Sequence, residues 1–153
     1  MTQSGISICE TTDLDDFKQL LHIFHEVFEM EDAVIPPDEH LRSILHTPTF
    51  TILLAKAGEH VVGGLTFHIL PQYYTSIPQV YLYDLGVTNA WQRRGIGTML
   101  IAALKDYCKK HGMEEFYVQA DREDTPAVDF YRSTNPSREA DVLHFSYSVR
   151  GGT

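Results

Sequence analysis

Two glycines one residue apart, in Gln92-Arg93-Arg94-Gly95-Ile96-Gly97, stand where an apolar strand gives way to a helix. The first amides of a helix have no partner within it. The helix dipole adds partial positive charge at the same end, and phosphate groups are the usual ligands of such a site. Gly95 and Gly97 present no side chain to hold phosphate oxygens away, and Arg93 and Arg94 add positive charge nearby. The pattern is not a P-loop, because the closing Gly-Lys-Ser/Thr is absent. It is not a dinucleotide fingerprint either, because that pattern needs a third glycine and an early position in a βαβ unit. A glycine pair opening a helix also arises from packing alone, so spacing by itself leaves both readings open.

The elements that must position this loop follow from periodicity. Ile6 to Glu10 alternates and predicts a first strand. Asp13 to Asp16 supply an N-cap and first-turn acids, and Phe17, Leu20, Leu21, Phe24, Val27 and Phe28 then recur at helical spacing. Pro36-Pro37 breaks the chain before a short helix over Asp38 to Leu45. Phe50 to Lys56 and Val61 to Leu70 predict a hairpin turning at Ala57 to His60, and Val80 to Val87 the next strand. Gly95 to His111 predicts a helix with Ile96, Met99, Leu100, Ala103, Leu104 and Tyr107 on one face and Gly112 as its stop. Phe116 to Ala120 predicts a short strand. A helix opening near Pro126 and a final strand over Val142 to Val149 complete the chain. The order β, α, α, β, β, β, α, β, α, β describes a mixed α/β (α+β) domain. A twisted, mostly antiparallel sheet is flanked by helices, and a single domain spans residues 1–153.

Composition narrows the ligands. With 153 residues, 43% hydrophobic and 22% charged, the chain is long enough for one real core. A net charge of −9 argues against nucleic acid and anionic membranes, and favours cationic small molecules if an acidic cleft exists. No apolar run reaches the roughly 20 residues of a membrane span. The opening residues Met1 to Gly5 lack the basic and apolar segments of a signal peptide, so a cytoplasmic location is expected. Cys9 and Cys108 are far apart, and the eight histidines show no metal-ligand spacing, so no metal is expected.

Gln92 to Gly97 matches the Q/R-x-x-G-x-G/A signature of the GNAT acetyltransferase superfamily, and the order of elements across nearly the whole chain resembles that fold. Within it, Tyr81-Leu82-Tyr83-Asp84-Leu85-Gly86-Val87, Tyr117-Val118-Gln119-Ala120-Asp121 with the following Asp124, Pro126-Ala127-Val128 and Tyr131, and the late His144-Phe145 resemble the aminoglycoside 3-N-acetyltransferases. The resemblance implies acetyl-CoA as cosubstrate. Gln92, Arg93, Arg94, Gly95, Ile96, Gly97 and Thr98 would surround its pyrophosphate, and the backbone of Leu85, Gly86 and Val87 would pair with the pantetheine arm. It implies a splay between the fourth and fifth strands in which the thioester lies. It implies Asp84 as the group that takes the acceptor amine's proton and Tyr131 as the donor to the departing thiolate. A cation anchor is the alternative for Asp84, and a core tyrosine for Tyr131.

An aminoglycoside carries several ammonium groups, and one exposed ion pair contributes only about 0–1 kcal/mol. Several carboxylates must therefore converge. Glu29, Glu31 and Asp32 between the first two helices, and Asp121 and Asp124 after the fifth strand, are the candidates, with Tyr83 beside Asp84. Tyr73 and Tyr74 are candidates for stacking on a sugar or for packing. The family's Leu-Gly-Phe/Ile turn after the late tyrosine is replaced here by Arg132-Ser133-Thr134-Asn135-Pro136-Ser137, which bears on Tyr131 and on the acceptor entrance. The expected reaction is acetylation of an aminoglycoside 3-amino group in a ternary complex. A polyamine or other small-amine acetyltransferase is the second reading, and an acyl-CoA sensor without transfer activity the third. A homodimer using the final strand is a further expectation.

Overall fold

In a computed structural model that describes residues 5–151, β1 (Ile6–Thr11), β2 (Phe50–Ala57), β3 (His60–Leu70), β4 (Gln79–Val87) and β5 (Phe116–Tyr117) form one sheet in sequence order. The first three pairings are antiparallel and β4–β5 is parallel. The helices are α1 (Leu14–Val27), α2 (Asp38–Leu45), α3 (Ile96–Lys110) and α4 (Thr125–Ser133). Met1 to Ser4, most of the opening stretch that lacks the pattern of a signal peptide, lie outside the described residues. The chain forms two units, 1–119 and 120–153.

The sheet of the first unit buries both faces. Leu20 of α1 reaches Gly64, and Phe24 and Val27 reach Gly86, so α1 covers one face. Phe67 meets Tyr107 of α3 at 4.9 Å between ring centroids, which places α3 on the other. Gly64 and Gly86 are opposite each other in the β3–β4 register. A side chain at either site would occupy the space that α1 fills. A Cβ on Gly64 would lie 2.8 Å from Leu20 Cδ1 and 2.8 Å from the Leu53 carbonyl oxygen. The helix approaches closely because these two residues have nothing to put in its way.

Helix ends follow their local chemistry. Asp13 caps α1 by accepting from the Asp16 amide at 2.9 Å. Gly95, at φ 80°, precedes α3, and Gly112, at φ 73°, follows it. The α3 face expected from spacing is rotated. Ile96, Leu100 and Leu104 are buried as expected, but Ile101 and Cys108 share that core. Both cysteines are free thiols, with Cys9 exposed and Cys108 buried.

β5 is shorter than Phe116 to Ala120. It pairs only through Val80↔Phe116 and Tyr81↔Tyr117, while β4 runs on to Val87. The splay expected between these strands therefore begins immediately after Tyr81. A 3-10 turn over Asn89–Trp91, not foreseen from the sequence, links β4 to the glycine loop.

In the second unit, Asp124 caps α4, accepting from the Ala127 amide at 3.3 Å. Arg132 then forks onto Glu139 through contacts of 2.9 and 2.8 Å, securing the segment after the helix. The strand expected over Val142 to Val149 is not formed. The segment has no assigned strand, and Leu143, Tyr147 and Val149 are 82, 86 and 96% exposed. The alternation is real, but a strand persists only where a neighbour takes its amides and carbonyls. No strand pairs with this segment among the described residues.

Because the α1 approach depends on Gly64, Gly64→Ala is expected to destabilise the fold by about 1–3 kcal/mol through overpacking. Urea titration of the variant against the parent chain checks this, and an unchanged midpoint would contradict the packing account.

Candidate functional site

The apolar residues of β4 change parity at one point. Val80 and Leu82 are buried at even positions, whereas the next apolar residues are Leu85 and Val87, at odd ones. The register explains the switch. Thr66 is opposite Asp84 and Phe67 is opposite Leu82, so Tyr83 is an extra residue in β4. A bulge of this kind disrupts the ladder locally and re-aims side chains. Asp84 lies two residues from Gly86 and shares its α1 face. Tyr83 also reaches that side, since its ring meets those of His68 and Tyr81, each at 5.7 Å. Tyr81 and His68 are register partners. His68 in turn meets Phe50, which packs on Phe17 of α1. Asp84 and Tyr83 thus emerge side by side on the α1 face, next to the point where β5 departs. The parity switch is visible in the sequence and could have located the bulge.

Asp84 is half-buried, and its carboxylate forms no ion pair or side-chain hydrogen bond among the described residues. Burial without a compensating partner disfavours the charged form, so its pKa is raised above the ordinary carboxylate value. Tyr81 is shifted upward too, by burial first and then by Tyr117, Tyr83 and Asp84. Its hydroxyl donates to Gln119 Oε1 at 3.1 Å.

The glycine loop is held from below. Gln92 Nε2 donates to the Val87 carbonyl at 2.9 Å and to Asn89 Oδ1 at 3.2 Å. The Gln92 side chain is therefore a brace between strand and loop. Glu26 of α1 accepts from Thr88 Oγ1 at 2.8 Å and from the Asn89 amide at 2.8 Å, tying the loop's entry to the helix that covers the sheet. Arg94 lies over the Trp91 ring, its Cζ 4.6 Å from the centroid, and Arg93 is exposed with φ 64°. No side chain caps α3, and the first amide bonded back to the Gly95 carbonyl is that of Met99. The amides ahead of it are available to an anion. A Cβ on Gly95 would meet no atom within 4 Å, so the space over the loop is open. This arrangement fits a diphosphate.

The other candidates fall into place as follows. Glu29, Glu31 and Asp32 are exposed after α1, with Glu29 at φ 55°. Tyr73 and Tyr74 are exposed and pack on each other at 4.6 Å. Asp121, Asp124 and Tyr131 belong to the second unit. There, one oxygen of Asp124 is committed to the α4 cap. Tyr131 packs on Phe130 at 5.1 Å, and its carbonyl accepts from Thr134 Oγ1 at 2.7 Å where the helix ends. Gln92 as a brace, Glu26 as a staple, and the rings of Tyr81, His68 and Tyr117 were not singled out from sequence. A cleft of about 560 Å3 between β1 and α3, lined by Cys9, Met99 and Tyr107 among others, includes Thr98 but not Asp84. Among the described residues no group of His, Cys, Asp and Glu is arranged to hold a metal ion, and no helix is long and apolar enough to cross a membrane.

The model of the acetyltransferase (GNAT) family matches residues 17–134. The structure of the aminoglycoside acetyltransferase meta-AAC0020, from an uncultured soil metagenomic sample and in complex with sisomicin, superposes with a TM-score of 0.93. It is 42% identical, over 95% of this chain and 97% of that one. A second aminoglycoside acetyltransferase from such a sample, HMB0005, gives a TM-score of 0.84 at 33% identity, over 94% of this chain and 98% of that one. The mycothiol acetyltransferase of Renibacterium salmoninarum is 32% identical over 78 residues, 50% of this chain but only 22% of that protein's length.

The raised pKa of Asp84 has a consequence for stability. A group whose pKa is higher in the folded state costs nothing below its unfolded value, about 3.9 for Asp, and destabilises once pH rises through the folded value. Asp84→Asn is therefore expected to raise the melting temperature near neutral pH, and the gain should vanish below about pH 3.5. Thermal melts at the two pH values check this. A gain of equal size at both would remove ionisation as the cause.

Proposed function

The chain belongs to the GNAT acetyltransferase family, and on that premise we propose that it transfers an acetyl group from acetyl-CoA to an amine of an aminoglycoside, at the 3-amino position. The observation that carries the chemistry is Asp84, a half-buried, unpaired carboxylate beside the end of the β4–β5 pairing. The high identity to an aminoglycoside acetyltransferase solved with sisomicin, across nearly the full length of both chains, supports the acceptor class. The 3-amino position rests on the resemblance of the Tyr81 to Val87 and Tyr117 to Asp121 segments alone.

The residues divide the work. The amides at the start of α3, with Gly95 and Gly97 leaving room and Arg93 and Arg94 adding charge, hold the pyrophosphate. Ile96 is buried and anchors the first turn, and Thr98 follows on its exposed side. Beyond Tyr81 the free edge of β4, Leu85, Gly86 and Val87, offers its backbone to the pantetheine amides as a neighbouring strand would. Acetyl-CoA, once bound, supplies the activated acyl group.

Asp84 then accepts a proton from the acceptor ammonium, directly or through one water, leaving a neutral amine able to attack. Burial favours this role, because a carboxylate with a raised pKa is a stronger base than an exposed one. Amides of β4 beyond Tyr81, where β5 no longer pairs, suit an oxyanion. Tyr131 gives a proton to the leaving sulfur and is restored by the second proton, which the nitrogen sheds as the amide forms. The proton taken by Asp84 passes to solvent, so the exchange balances. Tyr83, Glu31, Asp32, Asp121 and Asp124 contribute to the acceptor side.

Release of CoA thiol in the presence of gentamicin, spermidine or no amine tests the reading. Thiol release dependent on gentamicin is expected, with the 3-N-acetylated product identified by mass spectrometry and NMR. Turnover with spermidine alone would refute the acceptor assignment. Asp84→Asn should lower kcat/KM by about 10²–10⁴-fold. In the parent enzyme kcat/KM should fall as pH drops through a pKa above the usual carboxylate range, since only the ionised carboxylate accepts the proton. An Asp84→Asn enzyme with the parent's rate and pH profile excludes the base role.

Gly95→Ala tests the donor loop separately. At φ 80° an alanine pays about 1–2 kcal/mol of left-handed strain. KM for acetyl-CoA should rise roughly five- to thirtyfold with KM for the amine little changed.

A further inference from the structure

The α1 face beside Asp84 carries a run of rings that the proton-transfer account does not use. Tyr117 stacks on Tyr81 at 4.8 Å with the planes 12° apart. Tyr81 meets Tyr83 nearly at a right angle, at 5.7 Å and 82°, and Tyr83 meets His68 at 5.7 Å and 86°. The run crosses β5, β4 and β3 and ends against Phe50 of β2. Tyr83, the extra residue of the bulge, is its most open member, 57% exposed. A large aromatic ring left this open by a structural irregularity, and braced on two sides by others, is not there to fill the core.

We propose that Tyr83, backed by Tyr81, Tyr117 and His68, is a cation–π platform that seats an ammonium group of the acceptor beside the Asp84 carboxylate. It rests on the amine-acceptor reading above and names the contact by which that site takes its substrate. The face of a phenol ring is electron-rich, and an ammonium within about 6 Å of its centroid is attracted to it. The rings hold the cation without accepting its proton, so they do not compete with Asp84 for the base role. The hydroxyl of Tyr81 is shifted upward by burial and by its neighbours Tyr117, Tyr83 and Asp84, which keeps that ring a neutral phenol. The arrangement also answers a problem of charge. Asp84 is the one carboxylate that the β4 bulge brings to these rings. A polyamine brings several positive charges, and the rings accept a second ammonium where a second buried carboxylate would be costly to ionise.

The test is direct binding to the full chain, by calorimetry, with gentamicin and with spermidine as separate probes. The variants are Tyr83→Phe, Tyr83→Leu and a series carrying mono-, di- and trifluorinated phenylalanine at position 83. Thermal melts confirm that each is folded. Tyr83→Phe keeps the ring and should bind within about twofold of the parent. Tyr83→Leu keeps the apolar bulk and should weaken binding about five- to tenfold. Fluorine withdraws charge from the ring face, so affinity should fall stepwise along the series. Equal binding by Tyr83→Leu and the parent overturns the proposal. So does a flat fluorine series, which would mean that the ring acts by packing. If the parent binds spermidine and not gentamicin, the aminoglycoside reading fails while the platform is decided on spermidine. If the parent binds neither amine, both fail.

Discussion

A strand with neighbours on both sides has no backbone left to offer a ligand. β4 has β3 along one edge for its whole length, and β5 along the other for only Val80 and Tyr81. Everything assigned to the site depends on that early parting. Beyond it, β4 is still paired to β3 as far as Val87, but one edge is open. A loop could present the same amides only with greater freedom. The bulge at Tyr83 falls just past the parting, so the side chains change face where the backbone becomes available. The parting and the bulge together set the free edge, the carboxylate and the exposed ring close together along β4.

The position of Asp84 runs against stability. Burial raises its pKa, and no cation or donor among the described residues relieves the charge. A stabilising sequence would place Asn or Thr there. Thr66, its register partner, is the only buried polar side chain among the described residues, so this stretch of sheet is more polar than a core requires. Sites that hold a reactive group unsatisfied are where sequences accept such costs. The glycine loop shows the opposite character. Its side chains are spent on bracing: Gln92 on Val87, Glu26 on Thr88 and Asn89, Arg94 on Trp91. Its backbone amides ahead of Met99 are left without a partner within the helix.

Much of this was legible from the sequence. Periodicity found α1 to α4, and the glycine signature found the loop that opens α3, because both depend on residues near one another in the chain. Asp84 was reached through resemblance, and its unpaired state is a tertiary fact. The bulge left a trace in the shift of apolar residues from even to odd positions, which alternation read strand by strand overlooks. The aromatic run was not legible, since His68, Tyr81 and Tyr117 meet only through register across three strands. The final strand was read correctly as a pattern and wrongly as an element. Alternation reports which side chains suit a sheet, but the sheet must supply an edge. The late turn at Arg132 to Ser137, unusual for the family, is organised by the Arg132–Glu139 fork, a contact seven residues apart with no periodic signature.

The two halves of the proposed reaction are joined through packing. Gly64 and Gly86 let α1 lie close on the sheet. That closeness puts Glu26, on the last turn of α1, within reach of Thr88 and Asn89. Those residues start the turn that ends in the glycine loop, and Gln92 returns the loop to Val87 at the end of β4. The chain of contacts closes on the strand that carries Asp84. A shift of α1 away from the sheet would move the loop's entry relative to the carboxylate, although among the described residues α1 makes no hydrogen bond to the first amides of α3 or to the Asp84 oxygens. Geometry at a reacting centre tolerates errors of about 1 Å poorly. The glycines beneath α1 are therefore as much a part of the site's alignment as the glycines that open α3.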